Sequence, residues 1–337
     1  MIDLLVVGGG PAGLATAIHA ALADLDVVVV EPRTGPIDKA CGEGLMPGAV
    51  RALAGLDIAV TGALISGIRY LDHRHRAEAA FRRGHGLGVR RTTLHTALAE
   101  RAAALGVPVI PAKVGTVRQD RHQVTAAGLT ARYLAAADGL HSPLRRQLGL
   151  DRPDPRPARY GLRRHFAVEP WTDFVEVHWS GRSEAYVTPL GPRLVGVAVL
   201  TGERAAFEQH LAAFPALTAR LPERAATAVR GAGPLRQPVA SRVHGRVLLV
   251  GDAAGYIDAL TGEGVSLALT GAAHLVRCVR EDRPQAYERA WLRASRRHRL
   301  LTDGLVRVRA RPALATRIVP AAARLPALFG AVVNGLA

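Results

Sequence analysis

Gly8-Gly9-Gly10-Pro11-Ala12-Gly13 places glycine at the first, third and sixth positions of a segment that follows an apolar run at 3–7 and precedes an Ala-rich run at 14–22. That spacing suits a strand–turn–helix junction that wraps a pyrophosphate. Gly8 permits the tight turn, Gly10 lets backbone approach the phosphates, and Gly13 lets the helix pack closely on the strand. The helix N-terminus, with Pro11 and Ala12 at its start, then offers free N–H groups and a partial positive charge to the phosphates. Glu31 ends the next apolar run, 23 residues after Gly8, where a carboxylate accepts hydrogen bonds from an adenosine ribose. A carboxylate there repels a 2′-phosphate, so FAD and NAD both fit.

Two downstream segments decide between them. Tyr133-Leu-Ala-Ala-Ala-Asp-Gly-Leu-His-Ser-Pro-Leu-Arg145 resembles the Asp-Gly motif of the para-hydroxybenzoate hydroxylase-like flavoproteins, and residues 246–265, with Gly251-Asp252 and Gly262-Glu-Gly264, resemble their Gly-Asp motif. The resemblance implies FAD as cofactor, with Asp252 on the ribityl chain, Asp138 supporting the fold and the cofactor region, and Arg91 near the phosphates or the ring. It extends the cofactor-binding set to Pro32, Arg33, Cys41, Gly42, Val114, Gly251, Gly262, Gly264 and Val265. Physics agrees for Asp252, which follows a buried-strand pattern where an unpaired carboxylate is costly. The helix opening at Gly264-Val265 points a positive dipole end at charge on a reduced flavin ring. Simpler roles exist: Asp252 as a helix cap, and Asp138 as an ordinary Asp-Gly turn.

Within this superfamily the loop Asp38-Lys-Ala-Cys-Gly-Glu-Gly-Leu-Met-Pro47 resembles geranylgeranyl reductase-like members, and Thr261-Gly-Glu-Gly264 points the same way. Cys41 stands either beside the flavin or as a small packing residue. Ala259 occupies a position where hydroxylases usually have proline, and the Trp-x-Trp-x-Ile-Pro signature of flavin halogenases is absent. No second strand-associated glycine fingerprint exists, so NADPH or NADH is expected as a transient reductant, with a protein donor as the other route. Met46 and Tyr186 are substrate-pocket candidates, with ordinary core packing as the other role. His165 and His178 fall in a strand-like region whose alternation leaves their faces undetermined. No HExxH pair or other metal motif is present, and Cys41 and Cys278 alone make no disulfide framework.

The elements that must position these residues read as an α/β fold. A Rossmann-like FAD-binding domain of the glutathione reductase type is expected in three pieces, 1–75, 91–158 and 235–285. A substrate-domain segment at 76–90 and an antiparallel β-rich substrate domain at 159–234 interrupt it, and C-terminal helices fill 286–337. Within this scheme Leu94, Leu98, Ala102 and Leu105 mark one face of a helix; 107–110 and 114–117 read as strands, and 203–230 as helical. Residues 246–250 bring the chain back to the first domain.

The chain of 337 residues carries a formal charge of +16, yet its arginines are scattered, so no nucleic-acid partner is expected. Arg293 to Arg299 and Arg307, Arg309 and Arg311 form the one dense cluster, read first as a solvated helix face. No run reaches membrane-spanning length, although residues 320–337 come closest, and peripheral membrane contact through the C-terminal helices is the alternative use of that region. No basic signal-peptide region precedes the first strand, so a cytoplasmic protein is expected.

These readings converge on an FAD-dependent enzyme acting on a hydrophobic small molecule. NAD(P)H-dependent monooxygenation of an aromatic or polyketide-like substrate through a flavin hydroperoxide is the leading expectation. A geranylgeranyl reductase-like reduction of isoprenoid double bonds is the second, and a non-enzymatic basic surface-binding module on a flavin fold the third.

Overall fold

The structure, a computed structural model, describes residues 1–181 and 183–336; Arg182 and Ala337, at positions inside the expected segments 159–234 and 286–337, lie outside the described residues. Along the chain run strand β1 (Ile2–Val7), helix α1 (Pro11–Ala21) and strand β2 (Val27–Val30), then strands β3 (Gly67–Leu71) and β4 (Arg76–Ala80). Helix α2 (Arg91–Ala104) and strand β5 (Leu129–Ala136) follow, then strands β6 (Tyr160–Phe166), β7 (Phe174–Trp179), β8 (Ser183–Gly191) and β9 (Leu194–Thr201). Strand β10 (Val247–Leu249) and the long helices α3 (Gly264–Arg280) and α4 (Ala286–Arg309) complete the main frame.

The parallel centre of the first sheet runs β10-β5-β1-β2 and the short strand Val109–Ile110, with antiparallel additions at Val243–His244 and Val124–Ala126. A parallel sheet is covered on both faces, which is why Val27–Val30 is apolar without alternation and buried throughout. Helix α1 packs against α2 and α3, and α2 turns Leu94, Leu98 and Ala102 into the core, with Leu105 half-buried beside them. Pairing of Leu134 with Val247 and of Ala136 with Leu249 brings the expected third piece back to the first two.

The second sheet runs β6-β9-β8-β7-β3-β4 and corrects two expectations. It is mixed: β3 lies parallel to β7, with Gly67 opposite Phe174, while its other pairings are antiparallel. Gly67–Leu71 therefore belongs to this sheet rather than to the segment 1–75, because its partner lies over 100 residues downstream and leaves no local signal. Period-two alternation divides β9 cleanly. Val195, Val197 and Val199 face a cluster with Phe207, Leu211, Phe214 and Leu217, while Ala198 and Leu200 face the first domain.

Two further expectations differ. Residues 114–117 form no strand, and pairing resumes only at Arg118–Gln119. Between 203 and 230 only Phe207–Leu211 and Pro215–Thr218 are helical, since Pro215 and Pro222 each lack the N–H a continuing helix needs. After α4 the chain ends in three short helices, Pro312–Ala315, Ile318–Arg324 and Pro326–Leu336. Among the described residues no single helix is long and apolar enough to cross a membrane.

Candidate active site

The glycine turn is built as its spacing requires. Gly8 has φ +108° and its N–H donates to the Val30 carbonyl at 2.9 Å, locking the turn to β2. A Cβ on Gly13 would stand 1.8 Å from the Gly8 oxygen, so only glycine lets α1 lie this close to β1. A Cβ on Gly10 would meet nothing nearer than the Arg91 guanidinium at 4.0 Å; the space above the turn is open for a ligand. Gly251, with φ +64°, closes onto this turn, because a Cβ there would stand 2.6 Å from the Ala12 methyl. Asp252 follows in a 3₁₀ turn, half-buried and close to the first glycine turn.

Around this junction lies a cavity of about 260 Å³. Gly10, Pro11 and Ala12 line one side with Arg33, Cys41, Gly42 and Arg91; Asp138, Gly251, Asp252, Gly262, Gly264 and Val265 line another. Met46 and Tyr186 line it as well, together with Val175, Ala198 and Leu200 from the second sheet. Gly8 and Gly13 act one layer behind, as scaffold. Pro32 is exposed and Val114 packs against the first-domain core, so neither lines the cavity.

Glu31 is buried behind Gly9, and its oxygens accept from the Gly9 amide (2.7 Å), the Arg33 amide (3.0 Å) and the Arg33 guanidinium (2.7 and 2.9 Å). Burial alone raises a carboxyl pKa, but these hydrogen bonds hold Glu31 below its ordinary value. They fill the four acceptor positions of a carboxylate, so a ribose hydroxyl would bond Glu31 only in place of the half-exposed Arg33 side chain.

Orphaned polar atoms point to an absent partner. The Arg91 Nε and one oxygen of Asp138 are buried without a hydrogen bond, and both residues face the cavity. The other Asp138 oxygen accepts from the Leu144 amide at 3.0 Å, and burial raises the carboxyl's pKa. A guanidinium over a glycine turn at a helix N-terminus is the donor set a pyrophosphate needs, so the residues present fit FAD.

Glu43 and Arg145 escaped the sequence reading. Glu43 lies fully inside, with φ +58°, accepting from the Arg91 amide at 2.8 Å and meeting the His165 Nε2. His165 thus sits beneath the cavity wall, while His178 turns to Glu176 at 3.1 Å and does not line it. Arg145, the last residue of the Asp-Gly motif, donates to Leu140 O, Ala253 O and Gln237 Oε1 at 3.1, 3.2 and 2.6 Å, tying the two downstream motifs together. Its place at the end of the motif was the available signal. The Cys41 sulfur accepts from the Glu43 amide at 3.4 Å, and burial raises its pKa, so it is a neutral thiol. Tyr186 is pinned by its hydroxyl, which donates to the Leu260 carbonyl at 2.8 Å.

The family described as "FAD binding domain" matches residues 1–286. The chain belongs to the para-hydroxybenzoate hydroxylase-like FAD-binding family. It is 30% identical over 310 residues to a menaquinone reductase of Mycobacterium tuberculosis, an alignment covering 79% of this chain and 74% of that one. A digeranylgeranylglycerophospholipid reductase of Thermoplasma volcanium is 26% identical, covering 83% of this chain and 78% of the relative. In fold it matches a flavoprotein/dehydrogenase from Cytophaga hutchinsonii with a TM-score of 0.83 at 17% identity, across 99% of this chain and 93% of that one. The chain is an FAD-dependent oxidoreductase.

Proposed function

We propose that this oxidoreductase reduces a lipophilic isoprenoid or quinone-type substrate held between the flavin site and the second sheet, with NADPH or NADH as the source of electrons. The observation that carries this reading is the cavity wall facing the cofactor cradle. Val175, Ala198, Leu200 and Leu235 supply it, with Met46 in the same lining, so the wall is mainly apolar and suits an apolar substrate. Both relatives above bear the name of a reductase and align over most of the chain. Hydroxylation, the leading expectation from sequence, uses the same cradle and becomes the second reading, kept by membership in a hydroxylase-like family.

Bound FAD supplies the two-electron chemistry. The glycine turn, Arg91 and Asp252 would hold it, and the N-terminus of α3 at Gly264 would favour negative charge on its ring. Tyr186, fixed by the Leu260 carbonyl, shapes the substrate side, and the neutral Cys41 thiol lines the same space. Exposed Leu325, at the break between the last two helices, and Leu328 and Val332 on the last one suit peripheral contact with a lipid surface.

The test is turnover of a short-chain menaquinone and a geranylgeranyl lipid by FAD-loaded protein with NADPH under strict anaerobiosis. Oxygen-independent substrate reduction supports the reductase. Substrate-dependent oxygen consumption with oxygen incorporated into the product returns the assignment to hydroxylation.

A further inference from the structure

A second cavity, of about 530 Å³, lies between the Gly251–Ala254 turn and α4, and it shares Gly251, Asp252, Tyr256, Gly264 and Ala268 with the first. Its lining holds Arg156, Arg236, Arg242, Arg296, Arg299 and Arg307. Of the arginines between 293 and 311, Arg299 is half-buried in this lining, while Arg296 and Arg307 line it and remain exposed to solvent.

The carboxylates do not balance this charge. Arg156, Arg236 and Arg307 all converge on the single carboxylate of Asp303, at 2.6, 2.9 and 2.9 Å. Arg236 also reaches Asp154, and Arg242 pairs with Glu288, each at 2.9 Å. Among the described residues Arg296 and Arg299 make no ion pair. Six guanidinium groups thus stand against the four carboxylates of Asp154, Asp252, Asp303 and Glu288, an excess of two positive charges.

The surroundings register that excess. Arg299 has its pKa lowered by burial and then by Arg242 and Arg236, and His298, pushed down to about 4 by burial and by Arg299, adds no charge. Ser295 also lines the cavity, 1% exposed, with its hydroxyl oxygen buried and without a hydrogen-bond partner. An orphaned hydroxyl beside unneutralised arginines is an incomplete anion site.

We propose that this second cavity binds the phosphate or diphosphate group of a small-molecule ligand, seated beside the Asp252 turn. A phosphate monoester carries close to the two negative charges required. Planar guanidinium forks pair with its oxygens bidentately, and the Ser295 hydroxyl supplies a further donor. The volume exceeds a phosphate, so the rest of the ligand lies in the cavity too. Two sources share this chemistry: the diphosphate of a nicotinamide dinucleotide and that of a prenyl diphosphate. The inference stands whether the enzyme reduces or hydroxylates.

The experiment titrates FAD-loaded protein with inorganic pyrophosphate, NADPH and geranylgeranyl diphosphate by calorimetry, in the wild type, in Arg296→Ala/Arg299→Ala and in Ser295→Ala. Saturable wild-type binding of pyrophosphate is expected, with the double variant weaker by about tenfold or more at unchanged FAD content. Tighter NADPH with slower flavin reduction in the double variant identifies the dinucleotide; tighter geranylgeranyl diphosphate identifies the prenyl source. In parallel, pyrophosphate should protect Arg296 and Arg299 of the wild type from phenylglyoxal, read by mass spectrometry, which needs no variant to fold. Absence of binding by all three probes, equal binding by the double variant, or unprotected arginines overturns the proposal.

Discussion

The Glu43 carboxylate lies 2.6 Å from the His165 imidazole, joining the loop before the helix Pro47–Ala54 to a strand of the second sheet, 122 residues away. Glu43 also occupies the left-handed region, which costs a non-glycine residue on the order of 1–3 kcal/mol. Its contacts hold it there: the Arg91 amide on one oxygen, His165 on the other, and the Val89 amide on its carbonyl at 2.8 Å. The Cys41-Gly42 edge of the cavity is thereby clamped to the second sheet.

Glu43→Ala is expected to destabilise the fold by about 3 kcal/mol or more, because it leaves buried partners unmatched. In a double-mutant cycle with His165→Ala, urea denaturation should report a coupling of about 1 kcal/mol or more. Additive effects would show that the contact carries no energy of its own.

Glu31 and Arg33 should separate in their effects on the cofactor. Arg33 is 54% exposed, so Arg33→Ala should cost at most about 1 kcal/mol and leave FAD affinity within about threefold. Glu31→Ala removes the acceptor of the buried Gly9 amide and should weaken FAD by about tenfold or more. Flavin fluorescence titration distinguishes them; equal losses would mean that Arg33 itself contacts the cofactor.

Gly13→Ala tests the strand–helix contact directly. With its Cβ required 1.8 Å from the Gly8 oxygen, the helix must move, at about 3 kcal/mol or more, and FAD should be lost from the purified protein. Visible absorbance per mole of protein is the readout, and a normally yellow variant would refute the packing role.

Glu263 sets a pH dependence. Burial alone pushes its carboxyl up to about 8 from an ordinary 4.5. The folded state then binds a proton that the unfolded chain has released across that window. Stability from this group is full below pH 4.5 and is lost as pH rises toward 8. Glu263→Gln should flatten the profile and raise Tm most at pH 8 and above; parallel profiles for the two proteins would sink the assignment.

Legibility in the sequence followed the range of the interactions. Gly8, Gly13 and Val27–Val30 were readable because neighbours a few residues away dictate their roles. The position of Asp252 was readable because a buried strand leads into it. Glu43 was not, since its conformation is held by His165 and Arg91 through contacts no local pattern records. Gly67–Leu71 was misplaced for the same reason, its parallel partner being Phe174–Trp179. In 203–230, Ala and Leu content outweighed the two prolines that divide it. The second cavity was hidden because a list of arginines does not say which of them turn inward.

Contact between Gly251 and Ala12 gives the molecule a timetable. During synthesis the glycine turn leaves the ribosome early, but its counterpart arrives some 240 residues later, after the whole second sheet. Flavin capture is therefore a closing event of biogenesis, and nascent chains stalled ahead of Gly264 should emerge without colour.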